Sequence, residues 1–263
     1  MANALSSTVR GGILHLRMDR PTLHNAFDAA LIAELTAALA DAGGDASLRA
    51  VVLSGAGASF SAGADLNWMR GMAAASEAEN REDALALARL MRTLDELPKP
   101  TVARVHGAAF GGGVGLVACC DIAIGLAGAK FGLTESRLGL LPAVISPYVV
   151  AAIGPRQARR WFATAETFDA TEALRIGLLH EVAADVDALD RAVERQIALL
   201  LKAGPVASAA AKRLVRDVAL QPDRDLLDQA NAGLIAALRV SAEGQEGLSA
   251  FLDKRTPSWA AKD

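Results

Sequence analysis

The sequence predicts an α/β fold that gives way to a helical C-terminal part, on three observations. To about residue 195, short apolar runs bounded by turn residues alternate with amphipathic segments of helical length. Two loops of small residues each follow a buried strand and precede a helix. Beyond Pro155 the strand signal stops and amphipathic helical segments succeed one another.

The first strand is Ile13-Leu14-His15-Leu16-Arg17-Met18, whose largely alternating pattern suits a half-buried position and which Asp19-Arg20-Pro21 ends. Asp28 is the expected N-cap of a helix that places Leu31, Ile32, Leu35, Ala38 and Leu39 on one face, with Gly43-Gly44 closing it. Ala50-Val51-Val52-Leu53-Ser54 is a short apolar run of the kind found in buried parallel strands. Strand, helix and strand within about fifty residues form an α/β unit, for which a right-handed crossover is the rule.

The small-residue loop 55–65 follows, at the place where parallel α/β sheets bind ligands. Residues 67–75, rich in methionine and alanine, carry no clear signal and are compatible with a mobile flap. Ser76 and Glu79 fit a capping box that opens a helix running to about Leu97. Pro98 and Pro100 bracket a break, Thr101 to Val105 reads as a third strand, and Ile122 to Gly125 as a fourth.

In the C-terminal part, Pro155 suits a first helical position, Gly177 and Gly204 suit stops, and Pro205 and Pro222 suit further starts. Helical segments are expected around 185–203, 205–219, 222–240 and 242–254. The organisation is then an α/β core over 1–195 and a helical region over 196–263. The latter carries Leu226, Leu227, Leu234, Ile235, Leu238, Leu248, Phe251 and Leu252, more apolar surface than so short a segment buries, so it packs on a core or on another subunit.

With 52% hydrophobic and 22% charged residues the chain is a globular protein and not a disordered one. A net charge of −3 argues against nucleic-acid or anionic-membrane partners. Cys119 and Cys120 are adjacent, so they neither bridge to each other nor offer metal spacing; they read as small buried apolar residues in a reducing compartment. The N-terminus lacks the basic-then-apolar order of a signal peptide. The apolar stretch 107–129 contains Asp121 and many glycines and has no aromatic flanks, so it reads as a buried helix plus strand. The expected location is cytoplasmic.

The densest chemistry lies between His106 and Glu135, where Gly111-Gly112-Gly113 and Gly115 open an apolar helix. A helix begun this way points unpaired N–H groups and a partial positive charge at whatever precedes it, an arrangement suited to a phosphate or a developing oxyanion. Tight helix-to-sheet packing explains such glycines about equally well. Nucleotide binding is the weaker reading, since there is no GxxxxGK[ST], and the glycines lack the G-x-G-x-x-G context.

Taken together, the motifs resemble the enoyl-CoA hydratase/isomerase (crotonase) family. They are Ser61-Ala62-Gly63-Ala64-Asp65-Leu66, then Gly107-Ala108-Ala109-Phe110-Gly111-Gly112-Gly113 leading to Cys120-Asp121-Ile122, then Ala129 to Glu135 and Leu138-Gly139-Leu140-Leu141-Pro142. Asp19-Arg20-Pro21, His24-Asn25-Ala26-Phe27 and the C-terminal Gly247, Phe251 and Lys254-Arg255 extend the resemblance over nearly the whole length. It implies a spiral of ββα units with a C-terminal helical trimerisation region, assembled as a homotrimer or a hexamer of paired trimers. It also implies an acyl-CoA thioester as substrate, with no metal and no cofactor beyond the coenzyme A that the substrate carries.

By motif position, the backbone N–H groups of Ala64 and Gly112 would hold the thioester oxygen. Ala62, Gly63, Asp65, Leu66, Gly111, Gly115 and Leu138 would lie along the substrate. Hydratases of this family place two glutamates at the reacting carbons. Here Glu135 matches one, but Gly115 stands at the other, so Glu135 would act alone or with help from substrate, water or another side chain. Ala143-Val144-Ile145-Ser146-Pro147-Tyr148 is a second departure.

Both departures resemble the bacterial 3-methylglutaconyl-CoA and γ-carboxygeranoyl-CoA hydratase branch, in which Gly115 would leave room for a β-branch and an arginine such as Arg70 or Arg137 would meet a distal carboxylate. The implied activity is hydration of a branched 2-enoyl-CoA, with Δ3-Δ2 isomerisation by a single glutamate or simple acyl-CoA binding as alternatives. Asp65 and Asp121 read as structural. His15 and His106 are explained by strand and packing positions.

Overall fold

The computed structural model describes residues 4–260. The chain forms a β-hairpin of β1 (Leu5–Arg10) and β2 (Ile13–Met18), whose turn Gly11-Gly12 has both φ angles positive, at 55° and 77°. β1 lay unrecognised in a polar N-terminal stretch. Helix α1 (Ala29–Gly44) follows, and Asp28 accepts from the Leu31 N–H at 2.8 Å, as the capping pattern predicts.

The chain then passes three times through the same sequence of elements: a strand in a large sheet, a strand in a small sheet, and a helical segment. The first pass is β3 (Ala50–Gly55), β4 (Ser59–Ser61), α2 (Leu66–Ala74) and α3 (Glu77–Asp95). The second is β5 (Thr101–Val105), β6 (Ala108–Phe110) and α4 (Gly112–Cys119). The third is β7 (Ile122–Leu126), β8 (Lys130–Gly132), a single 3-10 turn at Glu135–Leu138 and α5 (Ser146–Thr164).

The two sheets are therefore built in step. The large one has the order β1-β2-β3-β5-β7-β10, parallel apart from the hairpin, with β10 (Glu181–Ala183) as its last strand. The small one has the order β4-β6-β8-β9, with β4, β6 and β8 parallel and β9 (Thr167–Asp169) antiparallel to β8. This is the expected spiral of ββα units. The small-sheet strands were hidden in segments that read as loops, since three residues are too few for any period to show. β9 and β10 likewise contradict the purely helical reading beyond Pro155.

Residues 67–75 are not a loop flap: Asp65 caps helix α2 by accepting from Asn67 and Trp68 N–H at 2.8 and 3.3 Å. The Asn80 amide clasps the far end through Met72 O and Ala75 O, at 2.9 and 3.2 Å. Pro155 does open a helical segment, because Gly154, with φ at 75°, breaks α5 immediately before it. After α6 (Ala170–Arg175), Gly177 is left-handed as expected of a stop, with φ at 89°. Gly204, by contrast, is the N-cap of α8 (Pro205–Leu220) and not a stop for α7 (Val186–Lys202). α7 runs through residue 195, and the described chain beyond β10 is helical from the start of α7 onward. α9 (Arg224–Val240) and α10 (Ala242–Leu252) complete the helical tail.

The core lies between the large sheet and α1, α3, α4 and α5, with a second cluster under α7 built on Ile13, Val52, Val102 and Ile124. Cys119 and Cys120 are buried within the first, where burial raises both thiols, that of Cys120 to about 12. Asp121 binds the Thr101 N–H at 2.8 Å and the Lys212 ammonium of α8 at 2.9 Å, fastening the helical tail to the core. Among the described residues no helix is long and apolar enough to cross a membrane.

Candidate active site

β4, β6 and β8 are parallel neighbours, so their carboxyl ends emerge side by side. The segments that follow them are Ala62–Asp65, Gly111–Gly112 and Leu133–Glu135. Three positions singled out in the sequence, on three different loops, are thereby brought together by one short sheet. This is the general location of ligand sites in parallel sheets, displaced here from the large sheet to the small one.

The first loop is held on both sides of Ala64. Phe27 donates to Gly63 O at 2.7 Å, and Asp65 N–H donates to Phe27 O at 2.8 Å, which makes a one-residue parallel bridge between Phe27 and Ala64. Ala62 N–H is taken by His24 O at 2.9 Å. The Ala64 N–H itself has no acceptor among the described residues. Gly112 is the first residue of α4, so its N–H also has no carbonyl four residues back within the helix, and none is supplied from elsewhere in the described chain.

Close backbone approach explains the glycines. Gly63 and Gly111 have φ at 88° and 49°, in the region that side chains other than glycine's avoid. A Cβ on Gly63 would lie 3.1 Å from Phe110 O, and one on Gly111 would lie 3.2 Å from Glu135 Oε1 and 4.0 Å from Gly63 Cα. A Cβ on Gly112 would strike the Phe27 ring at 2.9 Å, and one on Gly113 would strike Ser61 O at 2.6 Å. The glycine run thus serves both readings that its sequence left open: Gly113 for packing on the sheet, Gly111 for approach to a functional side chain.

Glu135 opens the 3-10 turn, and its carboxyl sits against the Gly111 backbone. Its Oε2 is buried and has no hydrogen-bond partner among the described residues. Burial pushes this carboxyl above the ordinary glutamate range, against the opposing pull of its own backbone amide. Neither Lys130 nor Arg137 pairs with it, so a surface-charge explanation does not hold. A half-buried carboxyl with one buried, unpaired oxygen and a raised pKa, beside free amides, is the pattern of a proton-transfer site.

The remaining positions divide. Asp65 is structural: burial alone would raise its carboxyl, but the Trp68 and Asn67 N–H groups and Arg20 together hold it below the usual carboxylate range. Leu66 and Leu138 project outward at 70% and 60% exposure. Arg70 is exposed and bonded to Asn67 Oδ1 at 2.7 Å. Gly115 is a correction: it leaves no open space, because Ile145 Cβ lies 3.0 Å and Met91 Cε 3.2 Å from where its own Cβ would be, with Ile145 Cγ2 closer still.

The sequence also pointed past residues that build the site from behind. Asn25, fully buried with φ at 54°, accepts from Arg20 N–H at 2.9 Å and donates to Ala56 O and Ser59 O at 2.8 Å each. Arg20 reaches Ala26 O at 2.6 Å, Asp28 at 2.9 Å and Asp65 at 3.2 Å, tying two helix caps to the Ala64 loop. Their only signal was membership of the Asp19-Arg20-Pro21 and His24-Asn25-Ala26-Phe27 motifs.

The sequence model of the enoyl-CoA hydratase/isomerase family matches residues 8–262. The chain belongs to that family. It is 45% identical to an enoyl-CoA hydratase from Shewanella pealeana, whose crystal structure superposes with a TM-score of 0.94 over 97% of this chain and 96% of that one. It is 42% identical to Pseudomonas aeruginosa AtuE, with a TM-score of 0.95 over 98% and 100%. The 2,3-dehydroadipyl-CoA hydratase of Escherichia coli is 32% identical over 95% of this chain and 96% of its own. The protein is an enoyl-CoA hydratase-type hydro-lyase acting on acyl-CoA thioesters.

If Glu135 must be ionised to act, its raised pKa sets the acid side of the pH profile. Activity is absent while the carboxyl is protonated and rises with pH through that raised value. The acid limb of kcat/KM is therefore expected above the ordinary glutamate pKa of about 4.3. A limb at or below that value shows a carboxylate that water or a cation stabilises.

Proposed function

We propose that the protein hydrates a branched 2-enoyl-CoA of the 3-methylglutaconyl type, with Glu135 as its single acid/base and the Ala64 and Gly112 N–H groups as the oxyanion donors. The observation that carries this reading is the Glu135 carboxyl, set against Gly111 with one oxygen buried and unpartnered, on the loop next to two amides without an acceptor among the described residues.

Glu135, as carboxylate, takes a proton from water as the oxygen attacks the β carbon. The double-bond electrons move toward the thioester and the negative charge collects on its oxygen. Two preorganised amides stabilise that enolate more than the neutral ground state, and losing one such donor typically costs about 2.7–4 kcal/mol of transition-state stabilisation. Glu135 then returns the proton to the α carbon, so that water is added across the double bond and the carboxylate is regenerated. The raised pKa suits this double duty, since a group that both takes and gives a proton works best when its pKa approaches the working pH.

Assignment to the branched substrate rests on residues 109–121 and on the missing second carboxylate. It does not rest on free space at Gly115, which Ile145 fills. The Ala62, Gly63 and Leu66 backbone and the exposed Leu138, Leu140 and Leu141 would border the acyl-CoA.

Glu135→Gln is expected to abolish turnover while acyl-CoA binding persists, and the wild-type product formed in water labelled with heavy oxygen is expected to carry the label at the β carbon. Turnover by the variant at near wild-type rate excludes Glu135. Product without label indicates isomerisation.

The reading includes a homotrimer, single or paired. The helical tail leaves Val215, Leu220, Val240, Phe251 and Leu252 between 72% and 80% exposed, more apolar surface than a lone chain in water retains. Light scattering is expected to give three or six times the chain mass. Phe251→Asp with Leu252→Asp is expected to lower it, and a wild-type monomer contradicts the assembly.

A further inference from the structure

The 3-10 turn that begins with Glu135 is tied forward into a short loop. Leu140 N–H donates to Glu135 O at 3.1 Å, and Gly139, with φ at 73°, donates to Ser136 O at 3.2 Å. The loop continues through Ala143 N–H to Leu141 O at 2.8 Å and ends at Ser146, whose N–H and hydroxyl both meet Ala143 O, at 3.2 and 2.7 Å. Ser136 Oγ is also bonded to Phe162 O on α5. The segment 135–146 is thus internally braced.

One side chain wedges this braced segment against α4. Ile145, 3% exposed, lays its branched Cβ and Cγ2 into the volume that a side chain at Gly115 would occupy, alongside Met91, whose sulfur lies 3.8 Å from Cys119 Sγ. Gly115 lies three residues beyond Gly112 on the same short helix, and its N–H donates to Gly111 O at 3.2 Å. The helix face that carries Gly111 and Gly112 is therefore in hard contact with the loop that carries Glu135.

We infer that Ile145 is a positioning residue for catalysis, which fixes the Glu135 turn against the amide end of α4 by filling the space left at Gly115. The inference rests on Glu135 being the acid/base. Glycine at 115 is required because any Cβ there would push Ile145, and with it the turn, away from the helix. Ile145 Cγ2 is the contacting atom, so valine, which keeps it, preserves the fit. Alanine opens an apolar gap behind the turn, so the turn loosens and holds the Glu135 carboxyl less firmly away from solvent.

The test is steady-state kinetics of Gly115→Ala, Ile145→Ala, Ile145→Val and the Gly115→Ala/Ile145→Ala pair, each checked for folding by circular dichroism. Displacements near an ångström in such sites reach about a hundredfold in rate. Gly115→Ala and Ile145→Ala are each expected to lower kcat about tenfold or more with KM within about threefold. The double variant is expected to exceed both singles, because its new methyl fills the gap, with two residual approaches to relax, 3.0 Å to the Cβ of residue 145 and 3.2 Å to Met91 Cε. Ile145→Val is expected to stay near wild type, and the acid limb of Ile145→Ala to move down toward the ordinary glutamate value.

A double variant no better than the worse single, or Ile145→Val falling with Ile145→Ala, overturns the inference. So does an unchanged kcat in both singles. Should Gly115→Ala fail to fold, the contrast between valine and alanine at 145 and the shift of the acid limb decide it alone. Failure here with an inactive Glu135→Gln leaves the acid/base assignment standing, and an active Glu135→Gln removes both.

Discussion

Glu135 holds a carboxyl group against bare backbone at Gly111, with one oxygen buried and unpaired, and the surroundings are arranged to make that tolerable. A carboxylate left so carries a desolvation penalty, seen here as a pKa raised above the ordinary range. The penalty is also linked to stability. Because the folded state holds its proton to higher pH than the unfolded chain does, the contribution of this group to stability falls as pH rises through the folded pKa. Other elements offset it: the Phe27 bridge, the buried Asn25 hub and the Arg20 fan stabilise the neighbouring loop with fully satisfied hydrogen bonds.

The spiral topology explains how one carboxyl can face loops far apart in sequence. Each pass adds one strand to each sheet, so strands separated by one ββα unit become neighbours. Three-residue strands suffice in the small sheet because their work is alignment. They bring Ala64, Gly112 and Glu135 to one edge, while the large sheet and its covering helices bury most of the apolar side chains. The same close packing demands glycine where backbone meets backbone, at Gly63 and Gly113, and where it meets the Glu135 carboxyl, at Gly111, which is why these glycines cluster near the proposed chemistry.

Much of this was legible in the residues. Asp28 and the Ser76–Glu79 pair announced their helices by capping chemistry that acts within one turn, and Pro155 announced a start that Gly154 confirms with its broken φ. The strands β3, β5 and β7 showed because they are buried on both faces and read as apolar runs. β4, β6, β8, β9 and β10 did not, since three residues carry no period and their pairing is set by tertiary contacts. Glu135 and the glycines were found by spacing and resemblance. The fit of Ile145 to Gly115 was not, because an absent side chain says nothing about what fills its place, and the presumed room for a branched substrate proved to be occupied. Asn25 and Arg20 act through buried geometry that no local pattern reveals.

In the proposed reaction a thioester oxygen would sit between two backbone amides while the lone acid stands over the adjacent carbons. A crystal structure with a bound non-reactive enoyl-CoA analogue tests this arrangement most directly. The thioester oxygen is expected about 2.7–3.1 Å from the N atoms of both Ala64 and Gly112, with Glu135 in hydrogen-bond reach of the water or carbon it serves. An oxygen bonded to neither amide, or a Glu135 carboxylate turned into solvent in every subunit, would contradict it.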